Sequence, residues 1–379
     1  MRLLRMGCLK THQNFFQLSP NTMNKLIRFC HRYASLATVL TCSLALAMPA
    51  LAEEPVAAAP VDSTNAAPAT DQTVEAIRTG IAHDSLFAID MKGEWGMAVG
   101  NFGLMLETKD GGAKWETLPA KTSLALLGVK RAGDHQVAVG QQGLVMTRSG
   151  DGEWSDVKSG LDKRLLNVDM NEAGLTIAVG EFGYAARSRD FGATWQPITI
   201  NWADYNDEGY EPHLYGVIVT AEGAVMIAGE FGLILRSDDG GDAWRAVNRG
   251  DAKADESVFA MTLAHDGSNS GYAVGQEGLI LKTTDGGLTW ARLKADTNAN
   301  LLGAWAGNSE VVLVGIREML RSSDDGATFT KSSDVGIVRT WFQGIAAGVS
   351  ETKAGEKGFL REQNVFVVGY RGTIARVVK

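Results

Sequence analysis

From Leu86 to its C-terminus the chain repeats one alternation of apolar and polar stretches seven times. Its centre reads AVGNFGLMLETKDGGAKW at 98–115, AVGQQGLVMTRSGDGEW at 138–154, AVGEFGYAARSRDFGATW at 178–195 and IAGEFGLILRSDDGGDAW at 227–244. AVGQEGLILKTTDGGLTW at 273–290, LVGIREMLRSSDDGATF at 313–329 and a truncated VVGYRGTIARVVK follow. The apolar runs are short, end in glycine and show no helical period, which predicts strands. The anchoring glycines Gly100, Gly140, Gly180, Gly229, Gly275, Gly315 and Gly369 are 40, 40, 49, 46, 40 and 54 residues apart. That is the length of a four-stranded propeller blade, so the chain is expected to be an all-β, seven-bladed β-propeller of antiparallel blades.

Each unit reads as four strands, from an inner one such as 126–129 to an outer one such as 290–293. Ala88, Gly128, Asn167, Gly216, Ala260, Gly303 and Gly344 share one inner-strand position, where strands crowding the axis leave room only for small side chains. A Gly-x-x-Gly turn joins the second and third strands, and its glycines are expected to supply positive φ. The last repeat stops after its third strand, while residues 74–91 mirror residues 155–170. Val74 to Thr79 should therefore complete the last blade beside Ile374 to Val377, closing the ring and removing a sheet edge.

The motif Ser/Thr-x-Asp-x-Gly-x-x-Trp resembles the Asp-box of bacterial neuraminidase repeats. Thr108-Asp110-Gly112-Trp115, Ser188-Asp190-Gly192-Trp195, Ser237-Asp239-Gly241-Trp244 and Thr283-Asp285-Gly287-Trp290 match, and Ser322-Asp324-Gly326-Phe329 exchanges the aromatic. The second unit is one residue short before Trp154. The physical reading is a fold element in which the aspartate accepts from turn amides, the glycine permits the turn and the tryptophan packs between blades. Seven such units behind a leader resemble the photosystem II stability and assembly factor family over roughly residues 74–379. That resemblance implies a noncatalytic chaperone or scaffold docking on membrane proteins through basic patches. In a bacterium without photosystems it implies an accessory protein of an envelope or exporter complex.

Charge and cysteine placement set the compartment. Residues 1–52 hold six of the 36 Lys and Arg, no acid and all three cysteines, Cys8, Cys30 and Cys42. Lys25, Arg28 and Arg32 precede an apolar run from Tyr33 to Ala47, and Ala50-Leu51-Ala52 has the small residues of a cleavage site. The expectation is a leader and signal peptide over 1–52, cut after Ala52, with translation starting at Met1 or Met23 and an exported, periplasmic product. Residues 53–72 lack large apolar side chains and read as a flexible linker to a propeller at 73–379. Without the leader, 30 basic residues face 44 acidic ones, a formal charge of −14 that argues against nonspecific nucleic-acid binding. Neither disulfides nor a cofactor are expected.

Two surfaces are candidates for a partner, with the protein a monomer, peripheral to a membrane or bound to a membrane-protein complex. The first carries the Gly-x-x-Gly turns and the outer-to-inner loops: Phe102, Phe182, Phe231, Tyr370 and Arg371, with Trp202, Tyr205 and Tyr210 from the loop at 201–213. The second is a basic series before the boxes, Arg187, Arg236, Lys282, Arg321 and Arg376, broken by Glu107. No catalytic set stands out. A glycan-binding module or sialidase-like glycoside hydrolase is the alternative, drawing its carboxylates from Asp204, Asp207, Glu208 and Glu211. His83, His135, His213 and His265 are dispersed over four units and show no metal-ligand spacing.

Overall fold

The computed structural model describes residues 72–206, 209–249, 256–349 and 363–378. The proposed leader, and the proposed linker up to its last residue, lie outside them. The seven repeats form seven four-stranded antiparallel sheets, the first six running from inner to outer strand in chain order. Blades 1 to 6 span 86–117, 126–156, 165–198, 214–248, 258–292 and 301–331. Blade 7 takes three strands from 342–349 and 363–377, and its fourth is Val74–Arg78, paired antiparallel with Ile374–Val377. Asp334 fixes this closing strand, its Oδ2 accepting from the N–H groups of Thr73 (2.7 Å) and Val74 (3.0 Å).

The core lies between blades, which explains why second strands such as Trp95–Gly100 are buried along their whole length. One cluster joins Ile177 and Val179 of blade 3 to Leu214, Val217 and Val225 of blade 4. Trp195 of blade 3 closes another with Val137 and Val139 of blade 2. The small inner-strand position is confirmed by spacing. A Cβ on Gly128 would sit 3.0 Å from the Val168 amide of the next blade, and one on Gly303 would sit 2.6 Å from the Gln343 carbonyl.

The turn glycines divide their work differently from the sequence expectation. The second glycine of each pair does take positive φ, as at Gly103 (69°) and Gly278 (78°). The first is extended, with φ −159° at Gly100. It is glycine because the carbonyl of the residue before the inner strand occupies its Cβ position, 1.9 Å away for Ser85 against Gly100 and 1.8 Å for Ser257 against Gly275. That carbonyl accepts the N–H of the residue following the glycine in all seven blades, for example Asn101 to Ser85 at 3.1 Å. The left-handed conformation passes to the residue before the second glycine, including Phe102, Phe182, Phe231 and Arg371. Such residues cost strain that the two flanking turn contacts must offset.

Candidate partner-binding face

A second regularity acts on the channel. In every blade the inner-strand register slips by one residue after its first position, a β-bulge at Phe87, Leu127, Leu166, Tyr215, Phe259, Leu302 and Gln343. A bulge re-aims one side chain out of the sheet's alternation. All seven line the central channel, a cavity of about 1050 Å³, and all are half-buried. They lie one residue inside the strand start, so the channel end beneath the Gly-x-x-Gly turns is ringed by six apolar or aromatic side chains and one glutamine. Aromatic pairs extend this ring outward: Phe87 stacks on Trp341 (6.5 Å), Tyr215 meets Phe259 edge-on (5.4 Å), and Phe182 packs against His213 (4.8 Å).

The turn-face residues named from sequence separate into exposed and structural groups. Phe102 and Phe182 are 69% and 55% exposed, and Tyr370, Arg371 and Tyr210 are exposed as well. Phe231 is half-buried with its ring edge-on to Tyr210 at 5.5 Å. Trp202 departs from expectation. It is 6% exposed, packs with Leu214 and Leu233, and its indole covers Gly183, whose added Cβ would meet Nε1 at 2.4 Å. Tyr205 also turns inward, its hydroxyl donating to the Trp244 carbonyl at 2.9 Å. The loop thus folds over its own blade because its tryptophan fills the space between blades 3 and 4. Asp204 and Glu211 are exposed, while Asp207 and Glu208 lie outside the described residues.

The basic series is not the open surface the sequence reading offered, because each side chain is used internally. Arg187 donates to the Gly240 carbonyl (3.0 Å) and Arg236 to that of Gly286 (2.9 Å). Lys282 reaches the Asp325 carbonyl (2.6 Å), Arg321 reaches that of Val378 (2.8 Å), and Arg376 pairs with Glu75. The first three tie one blade to the acidic turn of the next, and Arg321 ties blade 6 to the last strand. Glu107 breaks the series by inverting the contact. It is buried, pairs with the buried Arg148 of blade 2 and accepts from Trp95 Nε1 at 3.0 Å.

Asp110, Asp190, Asp239, Asp285 and Asp324 hold their own turns. In blade 3 the Ser188 hydroxyl donates to Asp190 Oδ1 (2.7 Å), which accepts from the Thr194 amide (2.8 Å), while Trp195 Nε1 donates to the Gly192 carbonyl (2.8 Å). The hydroxyl of Thr289 and the amides of the turn hold the Asp285 carboxyl down at about 2, and the Thr328 and Ser322 hydroxyls do the same for Asp324. Carboxylates so stabilised as anions are poor general acids at neutral pH.

The far end of the channel is charged. Lys130 lies between Asp169 (3.2 Å) and Asp90 (3.5 Å), and these anions, Asp169 foremost, hold its ammonium above the usual range. Burial raises the Asp90 carboxyl despite that partner. Each carboxylate also accepts a backbone N–H from the next blade, Arg131 for Asp90 (2.8 Å) and Val219 for Asp169 (2.7 Å). The trio therefore staples the inner strands of blades 1 to 4 together.

No protein-family model matches the sequence, and no curated protein matches it. Solved structures do resemble the fold. YCF48 bound to D1 peptide superposes with a TM-score of 0.61 at 21% identity, over 82% of this chain and 97% of that one. YCF48 from Cyanidioschyzon merolae gives 0.59 at 19%, over 80% and 98%. The GH74 xyloglucanase from Xanthomonas campestris gives 0.57 at 14%, over 80% of this chain but 53% of the enzyme. At these identities the likeness carries the propeller fold.

Proposed function

We propose that this chain is a noncatalytic, exported scaffold that captures a segment of a membrane-protein partner on its turn face, as an accessory or assembly factor of an envelope complex. The carrying observation is the concentration of exposed apolar side chains around an apolar-ringed channel mouth. Nine large apolar side chains are exposed among the described residues: Leu288 sits in an acidic turn, whereas Phe102, Phe182, Ile316 and Tyr370 sit in the turns between second and third strands. Monomeric proteins keep contiguous apolar patches small unless something binds them. A propeller of similar fold held with a peptide of D1 supports a peptide as the captured element. The leader and the acidic net charge support export and a protein partner over nucleic acid.

The test is crosslinking in the native envelope with wild-type protein and with Phe102→Ser/Phe182→Ser, whose side chains bear no core load. A membrane protein recovered by the first and lost from the second is the expected result. Recovery by both equally removes the turn face from consideration. The glycan reading, which the xyloglucanase likeness favours, requires instead that a glycan array capture the protein. N-terminal sequencing of envelope material should begin after Ala52.

A further inference from the structure

Below its apolar ring the channel has two unlike walls. Two positions beyond the small inner-strand residue, blades 1 to 3 place Asp90, Lys130 and Asp169, whereas blades 4 to 7 place Ile218, Thr262, Trp305 and Ala346 in the same register. All of them line the channel. The charged wall is closed on itself. Lys130 holds both carboxylates, and Lys92 of blade 1 reaches past blade 2 to Glu172 of blade 3 at 2.7 Å. Arg131 lies 3.8 Å from Asp134. Glu222, on the connection between the first two strands of blade 4, is the one lining carboxylate without an ion pair among the described residues, and it is exposed at the end away from the ring. The polar side chains of the wall are occupied too. Thr262 Oγ1 donates to the Leu263 carbonyl (3.1 Å), and Asn167 donates to the Tyr215 carbonyl (3.0 Å) while accepting from the Val168 N–H (2.8 Å). Gln343 differs: its amide stands half-buried in the ring and makes no side-chain hydrogen bond among the described residues.

Such a channel offers a ligand aromatic rings, aliphatic surface and one amide, with no unpaired cation. Ligand sites are cavities of about 300–1000 Å³ lined mainly by apolar and aromatic groups with a few polar ones that fix orientation. This one, at about 1050 Å³, is of that size and composition. Half-buried apolar side chains facing water also gain by being covered. We propose that the channel is a binding site for an uncharged, largely apolar small molecule, held between Phe87, Leu166 and Phe259 of the ring and the wall of blades 4 to 7, with its polar group on the Gln343 amide. An anion would enter without a counter-charge, and burying an unpaired charge is costly. A cation would find its free carboxylate, Glu222, at the opposite end from the ring. This site is distinct from the partner surface proposed above, which is made of exposed side chains, and either can hold without the other.

The probe is N-phenylnaphthylamine, an uncharged dye whose fluorescence rises in apolar surroundings, paired with anilinonaphthalenesulfonate, which adds a sulfonate to the same ring skeleton. The uncharged dye should bind wild-type protein saturably, one molecule per chain, and at least about tenfold more tightly than the sulfonate. Two ring variants of opposite kind test the place. Leu166→Trp/Leu302→Trp fills the ring, and Leu166→Gln/Leu302→Gln keeps its bulk while removing its apolarity. Each should weaken the dye at least about tenfold, with melting temperatures checking that the variants fold. Phe102→Ser/Phe182→Ser should bind it as wild type does. Binding lost in that surface variant and kept in both ring variants would overturn the channel site. Equal binding of the two dyes would overturn the uncharged class, and no saturable binding to wild-type protein would overturn the proposal outright. The ring variants also enter the envelope crosslinking. A membrane partner retained by them supports two independent sites, whereas a partner lost together with the dye would make the ring part of the partner surface and overturn a separate one.

Discussion

The two faces of the ring are built from the same repeat and spend their polar groups in opposite ways. On the acidic-turn face, hydroxyls, carboxylates and cations close on one another: Arg236 Nη1 lies 2.9 Å from a carbonyl of the next blade, and Asp239 accepts from the amides of Asp242 and Ala243. On the turn face the backbone closes itself through the carbonyl that bonds the residue after each anchoring glycine. The residue after the glycine still caps the inner strand, as Asn101, Gln141, Glu181 and Glu230 do for the N–H groups of Ser85, Ala125, Arg164 and His213, but the next side chain, Phe102 or Arg371 for example, is left without a structural task. A repeat that satisfies its backbone locally frees its side chains for recognition, and one that satisfies it through side chains does not.

One deletion and three sets of substitutions probe that contrast, from large effect to small. Deleting residues 73–78 removes the strand that covers Ile374–Val377, and should leave an aggregation-prone edge and no cooperative thermal transition. A retained sharp melting curve would mean the ring closes another way. Trp202→Ala, although it lies in the turn-face loop, should cost about 3–5 kcal/mol by urea denaturation, as expected for a large cavity between blades. Arg148→Met should cost about 3–5 kcal/mol by leaving Glu107 buried without its partner, and adding Glu107→Leu should recover much of that loss. Phe102→Ser should change stability by less than about 0.5 kcal/mol and act only on partner capture.

Acid sharpens the same comparison. Asp285 and Asp324 titrate at about 2 in the folded chain, below their ordinary range near 3.8. Their stabilisation is therefore complete above the unfolded value and is lost as pH falls from there through about 2. Urea midpoints should drop over that window. Asp285→Asn/Asp324→Asn should start lower at pH 5 and decline less steeply.

The sequence carried the architecture because each repeat writes its geometry in glycines and small residues. Gly128 and Gly303 mark where neighbouring inner strands touch, and residues 74–79 betray the missing strand by their likeness to 155–160. The site was less legible. Trp202 looks like an exposed aromatic until the space above Gly183 is known. Arg187 looks free because its acceptor is a backbone carbonyl on Gly240, 53 positions along the chain, and no residue type signals a carbonyl. The bulges were invisible because Phe87, Leu127 and Tyr215 are ordinary strand residues whose register is set by pairing.

Those bulges have an evolutionary consequence. Each releases one side chain per blade from the alternation that builds the core, so the rim of the pore amounts to seven settings that can be changed one at a time. Replacing Leu166 or Gln343 alters what the pore admits without disturbing the packing between blades. A lineage carrying this ring can therefore change the lining of the pore by point mutation, keeping the scaffold constant while the rim is recut.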